Sequence, residues 1–185
     1  MFGLGTIINC SAIIIAGIAG MLFGNHLKES MQDTLMKADG VAVIFIGIAG
    51  ALSKMLVIKG GTIDTTGTMM MIISLSLGAI VGEMLDLDGK MIHFGEWLKI
   101  KTGNAKDKKF VDGFVTASLT VCIGAMAVVG SIEDGIHADH SILFAKAILD
   151  FVIILVMSAT LGKGCLFSFV PVGLFQGTIT LLASL

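Results

Sequence analysis

The stretch "LFAKAILDFVIILV", residues 143–156, sets one lysine and one aspartate into an otherwise apolar run. Lys146 and Asp150 are four residues apart, so a 3.6-residue period puts them on one helix face a turn apart, within reach of each other. The pair has two readings. In one, Lys146 snorkels to the nearby surface and Asp150 completes a structural bridge. In the other, depth decides: Asp150 lies about 12 Å into a hydrocarbon core of about 30 Å. A carboxylate near the middle of that core is expensive unless water, a proton or a cation accompanies it. Base before acid is also the less favourable order for an isolated helix at this spacing, which directs Asp150 toward a bundle interior or a wet cavity.

Polar residues that could line such a cavity sit in other apolar segments: Asn9 and Ser11; Ser74 and Ser76; Thr116, Ser118 and Thr120; Gln176, Thr178 and Thr180. Each alone is ordinary interhelical glue. Asp150, Lys146, Asn9, Gln176 and Thr178 are taken as candidate pathway residues. Pro171, the only proline, joins them because it lacks an amide donor and crowds the carbonyl four residues earlier. A broken helix there would supply backbone groups of the kind transporters use to hold ions and substrates, and a purely structural kink is the plain alternative. The connector "SIEDGIHADH", residues 131–140, gathers Glu133, Asp134, His137, Asp139 and His140. These residue types bind divalent metals, but nothing in their spacing fixes a ligand geometry, and neither metal nor cofactor is expected. Cys10, Cys122 and Cys165 fall in apolar runs at no metal-ligand spacing and read as small buried hydrophobes.

Elements of what kind position these groups? With 55% hydrophobic and 14% charged residues, against roughly a quarter charged in soluble domains, the chain calls for lipid as its solvent and the bilayer as its partner. Apolar runs recur along the whole length, unlike a cleavable signal followed by a soluble domain. All twelve basic residues are lysines, so the planar fork that grips phosphate in two places is missing, and no basic face is interleaved with aromatics; nucleic acid is not an expected partner. No GxxxxGK, HExxH or GxSxG pattern occurs, so neither ATP-driven pumping nor an enzyme is expected.

A span of about 30 Å takes roughly 20 helical residues. That length selects six segments, at 5–24, 40–58, 67–85, 113–132, 142–161 and 165–185, within a single membrane domain covering 1–185. The second is weakest, since its uncharged part from Gly40 to Ser53 is short. The stretch "GKMIHFGEWLKIKTGNAKDKKF" reads as a short amphipathic helix in the interface, with Trp97, the only tryptophan, at headgroup depth. One side of the membrane receives Lys28, Lys37, the six lysines from Lys90 to Lys109, and Lys163, whereas the other receives Lys54 and Lys59. The lysine-rich side is cytoplasmic on the positive-inside bias, which places loop 86–112 inside and the amino terminus outside. Gly20 and Gly24, Gly78 and Gly82, and Gly173 and Gly177 make GxxxG spacings, which imply a tight bundle and permit a homo-oligomer.

Several stretches carry a family resemblance: "GTIIN" at 5–9, "GEMLDLDG" at 82–89, "DGFVTASLTVCIGAMAVVGSIEDG" at 112–135, "LFAKAILD" at 143–150 and "QGTITLLA" at 176–183. Over essentially its whole length the chain resembles the bacterial membrane proteins grouped as domain of unknown function 554, with 112–135 the most specific block. The resemblance implies a multi-span protein of the inner membrane, of a kind sometimes described as transporters, with no established chemistry. It also implies a further glycine-rich apolar segment beyond "TLLA", past Leu185 where this sequence stops; the side of the carboxyl terminus and the completeness of any pathway depend on it. The triplet "GTI" occurs at Gly5–Ile7 and again at Gly177–Ile179, in spans of opposite predicted direction, a match too short to establish an inverted repeat.

The expectation is therefore an all-α, polytopic membrane bundle of about six spans with one short interfacial helix. Its expected function is that of a carrier or channel for a small solute or ion, with Asp150 in the pathway, Lys146 tuning its charge and Pro171 shaping a discontinuous helix. The alternative is a non-transporting scaffold or accessory subunit, in which the Trp97 helix and the lysine cluster dock a partner or anionic lipid.

Overall fold

The computed structural model describes residues 3–23, 28–59, 61–122 and 124–185. Eight α-helices dominate among them: α1 (Leu4–Phe23), α2 (Glu29–Met55), α3 (Thr68–Leu85), α4 (Leu87–Lys101), α5 (Phe110–Cys122), α6 (Ala125–His137), α7 (Ser141–Leu161) and α8 (Phe169–Ala183). A 3-10 turn, Lys163–Ser168, precedes α8. The strands β1 (Leu56–Lys59) and β2 (Thr62–Thr65) form an antiparallel hairpin with Leu56 opposite Thr65. The fold is all-α, with five helices long and apolar enough to cross a membrane, or six when α5 and α6 are taken as one bent span.

α1 and α7 form the axis. The inward face of α1 is Gly5, Thr6, Asn9, Ile13, Ala16, Gly17 and Gly20, a stripe at three- and four-residue spacing built mostly from small side chains. Small residues let two backbones approach where lipid supplies no hydrophobic drive between helices. A Cβ on Gly5 would lie 2.7 Å from that of Leu143, and one on Gly20 would press on the Leu155 carbonyl. Since Gly5 meets the start of α7 and Gly20 its last third, at Leu155 and Ser158, the two helices run parallel. α6 and α8 close around their first half, and α5 with the 3-10 turn around the second. There Ile13, Ala16, Ala117, Val121, Ile153, Ile154, Met157, Cys165 and Val172 make an apolar cluster.

The expected GxxxG pairs do not make these approaches. Only single members of them do: Gly20 packs on α7, and Gly173 meets the Cys10 sulfur, while Gly24 lies outside the described residues and Gly78, Gly82 and Gly177 have open space where a Cβ would stand. The second span also differs from expectation: α2 starts at Glu29, well before residue 40, and the chain is already in β1 at residues 56–58. Its first turns carry the surface ion pair Lys37–Asp33 at 2.5 Å, and helix continues through this polar lead because nothing in it breaks a helix. α2 touches α7, whereas α3 has no buried residue.

The fourth segment, expected as one continuous span at 113–132, is broken. α5 ends at Cys122 and α6 begins at Ala125, bent by 59°, with Gly124 extended at φ −162. Pro171, expected to break the sixth segment, instead sits in the first turn of α8. Its fixed φ suits a first turn, where proline is tolerated. The sixth segment does change character, from 3-10 to α, but at Phe169 and ahead of the proline.

The interfacial segment forms α4, with Met91, Phe94 and Leu98 packed on Phe110, Phe114 and Val111. Trp97 stacks on Phe94 at 5.7 Å and stays half exposed.

Candidate functional site

Asp150 lies nine residues into α7, about 13 Å along it, and is 3% exposed. Lys146, one turn earlier, is 6% exposed, so it does not snorkel; it turns inward. Its ammonium has three donors, and three acceptors surround it: Asp150 Oδ1 at 2.8 Å, Asp150 Oδ2 at 2.7 Å and the Val121 carbonyl at 2.6 Å. The pairing expected from four-residue spacing is therefore present, and a third partner comes from backbone.

That partner exists because of the break. Val121 is the next-to-last residue of α5, and its carbonyl is among the last of that helix, which lack an intrahelical amide to accept from. The same helix end carries the negative pole of the peptide dipoles, which favours an ammonium. Thus the discontinuous helix expected at Pro171 lies at residues 122–125 instead, and it serves the same charged pair. A length signal existed: 110–137 is longer than one span requires, with Gly124 at its centre.

On the other side of the pair, Asn9 Nδ2 donates to Asp150 Oδ2 at 3.0 Å and to Gln176 Oε1 at 3.4 Å. Asn9 and Gln176 are both fully buried, so α1, α7 and α8 each contribute one polar side chain at this level. The network is incomplete among the described residues: Asn9 Oδ1 and Gln176 Nε2 are buried without a hydrogen-bond partner. A carboxylate, an ammonium and two half-used amides can together hold a small polar or charged species, since each unpaired buried group costs about 1–3 kcal/mol until something satisfies it.

Thr178 does not belong to this site. It is exposed and its hydroxyl donates to the Leu174 carbonyl of its own helix at 2.6 Å. Two residues from Gln176, it falls on the opposite side of α8, whereas Thr180, a full turn on, is 3% exposed. The "GTI" triplets are likewise not equivalent, for Thr6 is buried and Thr178 is not. Ser11, Ser74, Ser76, Thr116 and Thr120 are exposed, while Ser118 is fully buried. Pro171 touches the site only indirectly, its carbonyl accepting from Cys122 Sγ at 3.7 Å.

A second polar cluster lies at the α6–α7 turn. Asp134, which reads in sequence as part of a solvated connector, is fully buried. Its Oδ1 faces His140 Nδ1 at 2.8 Å and accepts from the Gly3 amide at 3.3 Å. Glu133 and His137 form a separate, exposed pair at 2.6 Å. Ala138, left-handed at φ 53, reverses the chain so that His140 reaches back to Asp134; such a conformation costs a non-glycine residue about 1–2 kcal/mol. Beside it, hydrogen bonds from the hydroxyl and amide of Ser141 hold the exposed Asp139 carboxyl below its ordinary value. The cleft between Ile8 and Ala12 of α1 and Phe144, Ile148, Phe151 and Val152 of α7, about 360 Å³, is apolar and excludes Asp150.

A bundle of five to six helices long and apolar enough to cross a membrane, among the described residues, defines a polytopic α-helical membrane protein, with the ion pair near the middle of one of them. The chain matches the model of a family described as "Protein of unknown function (DUF554)" over residues 4–185, and it belongs to that family. It is 30% identical to the uncharacterized membrane protein YdfK of Bacillus subtilis (strain 168) over 180 residues, covering 97% of this chain and 72% of the relative. It is 26% identical to the uncharacterized protein YqgA of Escherichia coli (strain K12) over 186 residues, covering 98% of this chain and 74% of that one. No solved structure matches it.

Proposed function

We propose that this protein is a carrier or channel of the inner membrane, not driven by ATP and not an enzyme, that passes a small solute or ion beside Asp150, Lys146, Asn9 and Gln176. One observation carries the reading: an ion pair at mid-depth is seated on the free carbonyl end of a broken helix, next to amides with unused hydrogen-bonding atoms. Half-helix ends and freed carbonyls at that depth are what secondary transporters use to hold ions and substrates. Loop 86–112 faces the cytoplasm on the lysine count, which puts the α6–α7 turn outside.

The test is a stability screen of the detergent-purified protein against small ions, amino acids and metabolites. A ligand at about 100 times its Kd stabilises the folded form by about 2.7 kcal/mol. Asp150→Asn should abolish both that stabilisation and the flux of the same compound into liposomes. Equal stabilisation and equal flux in parent and variant remove Asp150 from the pathway.

The scaffold reading has its own observation, that α4 leaves Trp97 and Ile100 exposed near Lys101 and the exposed lysines 106, 108 and 109. That is a surface suited to anionic headgroups, at about 1 kcal/mol per basic residue. Neutralising Lys106, Lys108 and Lys109 to glutamine should weaken retention of anionic lipid during purification; retention equal to the parent's ends this reading.

A further inference from the structure

Between the Asp150 cluster and the Asp134 cluster lies a layer of unpaired hydroxyls. On α1, Gly3 touches Asp134 and Asn9 touches Asp150; Thr6, midway between them, is 7% exposed and its hydroxyl has no partner among the described residues. Ser131, three residues before Asp134 on α6, is fully buried and equally unpaired. Thr180 is one turn from Gln176, and its carbonyl stands 2.6 Å from where a Cβ on Gly135 would be, which places it beside α6. Its hydroxyl is unpaired too, and so is Asp134 Oδ2. Three helices thus bury unpaired hydroxyls, each both donor and acceptor, at levels between two carboxylates. Buried polar groups in native proteins are almost always satisfied, often by ordered water. Past Asp150 in the other direction stands the apolar cluster around Ile13, Val121, Ile154 and Val172. Two buried unpaired hydroxyls, Ser118 and Ser158, also lie on that side, so what distinguishes the layer toward the α6–α7 turn is that it ends on a second carboxylate, Asp134.

We propose that His140 and Asp134 form a proton port at the α6–α7 turn, and that the hydroxyls of Thr6, Ser131 and Thr180, with water between them, relay a proton from that port to Asp150. The inference rests on the carrier reading and deepens it by naming the proton as the coupling ion. His140 is the partly exposed member of the cluster, its side chain 16% exposed, and an imidazole can take a proton on one ring nitrogen and give one from the other. A proton passes from His140 Nδ1 to the Asp134 carboxylate; the acid so formed turns its O–H toward the hydroxyls and donates it, each hydroxyl or water accepting one proton as it gives up another, until one adds to an Asp150 oxygen and Asp134 is ionised again, while the Lys146 ammonium stays on the Val121 carbonyl and His140 regains its proton from solvent. Facing His140 are Asp134 from α6 and the Phe144 ring from α7, with Asp139 adjacent and the Glu133–His137 pair on the outer side of α6. Facing Asp150 are Lys146 on α7, Asn9 on α1 and Gln176 on α8, with the thiols of Cys10 and Cys122 in electrostatic range.

A pH jump from about pH 8 to about pH 5, across the range where imidazole titrates, followed by stopped-flow infrared spectroscopy on the full chain, tests this without any solute. The parent should gain a protonated-carboxyl band that Asp150→Asn lacks. Thr6→Val, Ser131→Ala and Thr180→Val, combined or one helix at a time, should keep the amplitude of that band but slow its appearance about tenfold or more, as losing a positioned proton-transfer group does. His140→Gln should slow it similarly, and free imidazole should restore the rate. A hydroxyl that only glued helices would change thermal stability and leave the rate alone. Unaltered rates in the hydroxyl variants and in His140→Gln overturn the relay, while the flux of Asp150→Asn still judges the carrier. A parent without any pH-dependent Asp150 band also overturns it.

Discussion

Lys146→Met should destabilise the folded protein by about 3–5 kcal/mol, the usual cost of stranding one member of a buried ion pair. The lysine is 6% exposed and all of its donors are used, so its removal leaves the Asp150 carboxylate with Asn9 as its one remaining partner and frees the Val121 carbonyl in an apolar surround. Replacing both members should be far milder. In Lys146→Met with Asp150→Leu nothing charged stays buried, and such apolar replacements are often neutral or stabilising. Chemical unfolding of the purified single and double variants measures the coupling directly. A single variant within about 1 kcal/mol of the parent would mean that the pair contributes no more than an exposed one does.

The second large effect belongs to Gly164, in the 3-10 turn before α8. A Cβ there would press on the Phe110 carbonyl and lie 2.8 Å from the Phe114 amide. Both obstacles are backbone atoms of α5, which cannot swing aside as a side chain can. Gly164→Ala should therefore cost about 3 kcal/mol, the upper end of the range for overpacking, because α5 must move off the turn. Gly177→Ala is the matched control: its Cβ meets nothing within 4 Å, and an alanine in a helix interior gains about 0.5–1 kcal/mol over glycine. Equal thermal shifts for the two variants would show that the α5 contact does not constrain the fold.

Where sequence and structure agree, the reason is periodicity. Lys146 and Asp150 pair because four residues make about one turn, and the same rule applied strictly favours Thr180 over Thr178 as the companion of Gln176. Asn9 was legible as an amide in oil that must find a partner, though nothing local named Asp150. The break between α5 and α6 left its trace in the length of the segment and not in its hydropathy, since the two helices together still pass as one apolar span, whereas Pro171 drew attention to a helix start. Asp134 misleads for a related reason. Charged residues near a turn usually face water, and only the chain reversal at Ala138 and the approach of Gly3 bury this one.

The pairing of α1 with α7 has a consequence for synthesis. Asn9 and Asp150 are 141 residues apart, so at about 5–20 residues per second the first helix waits roughly 7–28 seconds before its chief neighbour leaves the ribosome. Through that interval α1 holds the Asn9 amide in bilayer or insertion machinery with its final mates, Asp150 and Gln176, unmade. The intervening α2, hairpin and α3 add little to the finished core, so lengthening or recoding them should alter how long the nascent chain stays vulnerable to quality-control proteolysis more than how firmly the completed molecule holds together.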